Sequence, residues 1–105
     1  MNREKAIKIY DELKTKCPGL ILAGSVLIAD KNKNIHDLDL IWVGKIFPLH
    51  KLPLKDMDKM PFMKSPKILQ FTYRGEIIDI HSTDEKNLPS LISQLSGHHI
   101  KMKQR

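Results

Sequence analysis

Two amphipathic stretches bracket a series of short apolar runs. In residues 2–17, Ala6, Ile7, Tyr10, Leu13 and Cys17 recur at three- and four-residue spacing between Lys and Glu, which predicts a helix. Pro18-Gly19 stops it and opens a turn. Residues 20–23 predict a short buried strand ending at Gly24-Ser25, and residues 26–30 a short helical turn. Lys31-Asn32-Lys33-Asn34 reads as a polar loop, and residues 36–43 as a second strand closed by Gly44. Residues 44–66 hold four of the six prolines. That excludes a regular helix or central strand and predicts a mobile or partner-binding connection, with one helical turn at residues 56–60. Residues 67–73 and 76–81 predict a hairpin across Arg74-Gly75. Thr83-Asp84-Glu85-Lys86 starts a last helix with Leu88, Leu91, Ile92 and Leu95 on one face, ended by Ser96-Gly97. The order helix, strand, strand, hairpin, helix predicts an α+β fold. Its sheet is mixed, with helices packed on one face, in a single domain over residues 1–105.

At 105 residues the chain suffices for one modest core. One cysteine, Cys17, excludes an internal disulfide framework and has no metal-ligand spacing around it. No apolar stretch approaches the ~18 residues of a membrane span, and the first residues carry no apolar leader core. The chain therefore reads as intracellular and cytoplasmic, with no membrane partner. The net charge of +6 suits polyanionic partners such as nucleotides, DNA or RNA. It is equally an ordinary charge for solubility.

The chemistry lies in three signals in fixed order: Gly24-Ser25, Asp37-Leu38-Asp39, and Asp79 within Glu76-Ile77-Ile78-Asp79-Ile80. Carboxylates inside apolar strands are costly unless compensated. Alternation along a strand puts Asp37 and Asp39 on one face and sends Leu38 and Leu40 to the other. Asp79 shares its face with Ile77 and His81. Should the two strands be neighbours, three acids converge into a site for hard cations such as Mg²⁺ or Mn²⁺. Gly24 lets the backbone approach a phosphate closely, and Ser25 adds a hydroxyl. Each piece alone is weak; the joint order is far more specific. The histidines at 36, 50, 81, 98 and 99 read as surface or strand-end residues, although His36 and His81 flank the acids. Trp42 reads as core. Lys101, Lys103 and Arg105 could track a nucleic-acid backbone or form a frayed tail.

At these residues the chain resembles the polymerase β-like nucleotidyltransferase superfamily. That pattern is an apolar strand ending in Gly-Ser, then Asp-x-Asp within a strand, then a third acid on a later strand. Here eleven residues separate Ser25 from Asp37. The second half is most similar to the palm of family X DNA polymerases. Ile78-Asp79-Ile80 is followed, fifteen residues on, by Ser96-Gly97 and a basic segment. The resemblance covers residues 20–105. It implies a nucleotidyltransferase-type palm and transfer of a nucleoside monophosphate from an NTP or dNTP to a hydroxyl. Asp37, Asp39 and Asp79 would be the catalytic and metal-binding acids, with Gly24, Ser25, Ser96 and Gly97 on the nucleotide. Two departures stand out. Val26, Leu27 and Ile28 occupy positions where family X enzymes usually carry arginines, and Ser96 replaces a threonine.

Three functions compete on this reading. The first is an active minimal nucleotidyltransferase. The second is a non-catalytic or partner-dependent module, since single-domain members of the superfamily resemble the antitoxin half of toxin–antitoxin pairs. The third is a plain nucleic-acid-binding domain with incidental acids.

Overall fold

A computed structural model describes residues 1–28, 34–45 and 47–103, with side chains described through residue 95. Helix α1 (Arg3–Lys16) starts where the Asn2 side chain accepts a hydrogen bond from the Lys5 amide at 2.8 Å. That satisfies one of the donors every helix leaves open at its start. Glu4 in the first turn, and Lys14 and Lys16 in the last, match the helix dipole. Ala6, Ile9 and Leu13 form the buried stripe. Pro18-Gly19 follows directly after the helix, as its sequence requires.

Five strands form one mixed sheet: β1 (Ile21–Ala23), β2 (Asp37–Val43), β3 (Met57–Ser65), β4 (Ile68–Tyr73) and β5 (Glu76–Thr83). Their order is β1-β2-β5-β4-β3. Among the described residues only β2 and β5 run parallel; every other neighbouring pair is antiparallel. With helix α2 (Leu88–Lys103) this is a mixed-sheet α+β fold. The β4–β5 turn has φ of 52° at Arg74 and 77° at Gly75. Two consecutive positive φ values mark the tight hairpin turn whose twist matches its strands.

The pleat divides the side chains cleanly. Leu38 and Leu40 of β2, Ile78 and Ile80 of β5, and Leu69 and Phe71 of β4 join α1 in the main core. The residues between them, Asp37, Asp39, Asp79, His81 and Gln70, therefore occupy the opposite face. The partly buried Trp42 packs against the main core, its ring edge-on to Phe47 at 5.4 Å.

The connection at residues 44–66 differs from its sequence reading. It holds two short 3₁₀ turns, Leu49–Lys51 and Leu54–Asp56, and then the nine-residue strand β3. Of the helical turn predicted at residues 56–60, Asp56 closes the second 3₁₀ turn and residues 57–60 are instead the start of that strand. Pro61 is tolerated because β3 is an edge and its pairing with β4 is irregular on both sides of Phe62. The first helical turn lies at Gly24–Leu27, slightly earlier than residues 26–30, of which 29 and 30 lie outside the described residues. The polar loop also falls largely outside them. Helix α2 does not end at Ser96-Gly97 but continues to Lys103. A single glycine costs a helix interior only about 1 kcal/mol. Before α2, Asp84 Oδ1 accepts the Asn87 amide at 2.8 Å, and Pro89 sits in its first turn, where a missing N–H is harmless. The helix packs against β1 and the Gly24–Leu27 turn. No helix among the described residues is long and apolar enough to cross a membrane.

The hairpin turn is tied to α1. Glu12 Oε1 accepts from Arg74 Nε at 2.6 Å and from the Tyr73 hydroxyl at 3.0 Å. The hydrogen bond from Arg74 holds the Glu12 carboxyl below the usual carboxylate range. Cys17 is completely buried in the core, and burial pushes its thiol pKa up. Because the thiolate is the reacting species, native protein should resist iodoacetamide, with labelling only after denaturant unfolds the chain. Rapid native labelling, followed by mass spectrometry, would contradict that burial.

Candidate metal centre

The site begins where β1 runs out. Ala23 pairs with Asp39 across β1 and β2. At Gly24 the chain turns with φ of +82°. A Cβ there would lie 2.6 Å from Asp39 Oδ2 and 2.9 Å from Asp39 Cβ. The Gly24 backbone thus rests directly against the Asp39 side chain, and glycine is needed both for the conformation and for the space. Ser25 follows, half-buried, in the 3₁₀ turn Gly24–Leu27.

The parallel register of β2 and β5 sets Asp39 beside Asp79 and Ile41 beside His81. Each acid is held differently. His81 Nε2 lies 3.0 Å from Asp39 Oδ1. A carboxylate only accepts, so in this contact Nε2 carries the proton and donates. Gln70 Nε2 donates to Asp79 Oδ1 at 2.8 Å, and Lys64 Nζ stands 3.4 Å from Asp79 Oδ2. Asp79 is only 3% exposed and His81 8%. Ligand atoms of Asp39, Asp79 and His81 all lie within 4.8 Å of one another.

Two carboxylates this close repel, and in a poorly hydrated setting the repulsion is weakly screened. One ammonium at 3.4 Å and one histidine N–H compensate part of it. A divalent cation between the acids would compensate the rest, and the oxygen donors suit Mg²⁺ or Mn²⁺. The donor set therefore fits such an ion.

Of the residues the sequence singled out, Asp39, Asp79 and Gly24 are brought together. Asp37 shares their face but pairs with Ile77, one double step along β2, and lies outside the close group. The third member of the close group is His81, which its sequence marks only as a surface or strand-end residue flanking the acids. Ile41↔His81 follows directly from Asp39↔Asp79, so that register was the signal. Gln70 and Lys64 had no sequence signal as partners of Asp79, since they come from β4 and β3. His36 and His50 are exposed. Ser96, Gly97, Lys101 and Lys103 lie in α2, with side chains outside the described ones, and Arg105 lies outside the described residues altogether.

A cleft of about 770 Å³ lies away from the acids. It opens at the carboxyl ends of β2 and β5, lined by Val43, Phe47, Met63, Leu69 and Thr83 among others. Val43 pairs with Thr83 four residues beyond Asp39 and Asp79, roughly 13 Å along the strands. The candidate ligands therefore lie on the sheet face opposite the main core and not in this cleft. Compared with protein-family models and with curated proteins, the chain finds no match.

Proposed function

We propose that this chain is a metal-dependent nucleotidyltransferase of the polymerase β-like kind. It would move a nucleoside monophosphate from an NTP or dNTP to a hydroxyl in the cytoplasm. The reading rests on one observation above all. Asp39 and Asp79 stand side by side on parallel strands, with the Gly24 backbone packed against Asp39. Mg²⁺ or Mn²⁺ bound there would neutralise the triphosphate and lower the pKa of the acceptor hydroxyl.

The chain's own residues then have distinct tasks. Asp39 and Asp79 hold the ion, and Asp37 offers a further carboxylate on the same face. His81 fixes the Asp39 carboxylate and Gln70 fixes that of Asp79, the kind of support that orients metal ligands. Gly24 and Ser25 present backbone and hydroxyl to the triphosphate. In the reaction the acceptor oxygen bonds to the α-phosphorus and the bond to the β-phosphate oxygen breaks, releasing pyrophosphate. The acceptor proton passes to Asp79.

One observation favours a second reading. Lys64, Gln70 and His81 already engage both acids through the chain's own side chains. That suits a partner-dependent, antitoxin-like module in which the acids are structural.

The deciding experiment incubates the protein with each labelled NTP and dNTP in Mg²⁺ or Mn²⁺, with and without primed DNA. An Asp37→Asn/Asp39→Asn variant runs beside it. Label on DNA, or on the protein itself, that disappears in the variant supports transfer and names the acceptor. No transfer, and no metal-dependent nucleotide binding by calorimetry, sinks the enzyme reading and leaves the module.

A further inference from the structure

The sheet face that carries the acids does not stop at them. Gln70 pairs with Asp79 and Thr72 with Ile77. On the far side, Phe62 pairs with Gln70 and Lys59 with Thr72. Residues paired across strands project to the same face, so Lys59 and Phe62 share the face of Asp39 and Asp79. Lys64 belongs to it directly, through its contact with Asp79. The edge strand therefore presents a lysine, a phenylalanine and a second lysine beside the candidate metal centre.

All three are open to solvent. Phe62 is 51% exposed, and the Lys64 side chain 48%. Lys59 is exposed and makes no ion pair among the described residues. Two strand spacings, roughly 10 Å, separate Phe62 from Asp79. That equals about three stacked nucleotides at 3.4 Å each.

From this placement we infer that Lys59, Phe62 and Lys64 form a subsite for single-stranded nucleic acid, one base stacking on Phe62 and the lysines taking its phosphates. An aromatic face flanked by cations is the recurrent solution for such strands, because every base has a π-face and every linkage a negative charge. Val26, Leu27 and Ile28 put no cation directly after Gly24-Ser25. The β3 lysines put that charge on the opposite flank, where an acceptor strand would lie. A second copy of the chain is a poor occupant. Pro61 has no N–H to offer, the β3 register is interrupted, and two lysine-bearing edges repel. The role as acceptor site rests on the nucleotidyltransferase reading; the binding itself does not.

The test is fluorescence anisotropy of a short fluorescein-labelled oligothymidylate titrated with the full chain in EDTA. Binding without metal keeps the subsite separate from catalysis. Phe62→Ala should weaken binding roughly 5- to 150-fold, and Phe62→Trp should retain it. Lys59→Gln should flatten the salt dependence by about 0.7 in log–log slope, and Lys64→Gln should do the same. Asp39→Asn should bind as well as wild type or better. Circular dichroism should show all variants folded, since each changes an exposed side chain or preserves shape. Binding lost in Phe62→Ala, while wild type neither transfers nucleotide nor binds it with metal, would keep this subsite and remove the enzyme reading. Equal binding by wild type and Phe62→Ala would overturn the subsite whatever the transfer assay shows, and mark the face as a contact for protein instead. So would a wild-type chain that does not bind the oligonucleotide.

Discussion

Asp79→Asn should leave the protein within about 1 kcal/mol of wild-type stability and abolish its stabilisation by Mn²⁺. Asparagine keeps the shape, and its carbonyl oxygen can still accept from Gln70 Nε2. What is lost is the contact with Lys64, whose side chain is nearly half exposed at 3.4 Å. At an effective dielectric constant of about 20 that attraction is on the order of 5 kcal/mol before the exposed ammonium is screened. What is gained is relief from Asp39, within 4.8 Å, on the order of 3 kcal/mol on the same scale. Screening of the half-exposed ammonium brings the two close to balance when no cation is present. With Mn²⁺ wild type gains stability and the variant does not. A ligand at a hundred times its Kd stabilises the folded state by about 2.7 kcal/mol, on the order of 10 °C in Tm for a domain of this size. Differential scanning fluorimetry should show that rise in wild type and not in Asp79→Asn. Equal rises in both would place the ion elsewhere. A variant several kcal/mol less stable would mean that Asp79 is a structural acid held by Gln70 and Lys64, which favours the module.

How much of this was legible in the sequence depended on range. Asp37-Leu38-Asp39 is decided by the pleat of one strand, and the structure has Leu38 in the core and the acids opposite. Arg74-Gly75 is decided by two adjacent residues and forms the turn its sequence predicts. The partners of the acids are decided by pairing between strands far apart in the chain. No local pattern says that Asp79 meets Asp39 and not Asp37, or that His81 comes with it. Gln70 and Lys64 reach Asp79 only because β4 and β3 lie next in order. Strand β3 is hidden by the prolines of residues 44–66, which argue against a central strand. They are what an edge strand uses to discourage unwanted pairing. The end of α2 was misread for the opposite reason: Ser96-Gly97 is a local stop signal of about 1 kcal/mol, too small to end this helix.

Gly24→Ala and Gly75→Ala should have very different effects, although both glycines have a similar positive φ. Their φ values are +82° and +77°. An alanine at either pays the left-handed backbone penalty, roughly 1–2 kcal/mol. At Gly75 nothing lies within 4 Å of the new Cβ, so strain is the whole effect. At Gly24 the Cβ meets Asp39 Oδ2 at 2.6 Å and Asp39 Cβ at 2.9 Å. The carboxylate oxygen can swing away; the Cβ is fixed to strand β2 and moves only with its backbone. Overpacking of that kind costs a further 1–3 kcal/mol, giving about 2–5 kcal/mol in all. The swing also turns Asp39 away from His81 and Asp79. Urea denaturation should therefore rank Gly24→Ala well below Gly75→Ala in stability. Of the two, Gly24→Ala alone should lose the Mn²⁺-dependent rise in Tm. Gly75→Asn is the internal control, because asparagine tolerates positive φ, and it should restore most of what Gly75→Ala loses. Equal costs at the two sites would mean that Gly24 is present only for its turn. A larger cost at Gly24 with the Mn²⁺ response intact would separate the packing of Asp39 from ion binding. The combined loss is expected only if the close approach of Gly24 shapes the site.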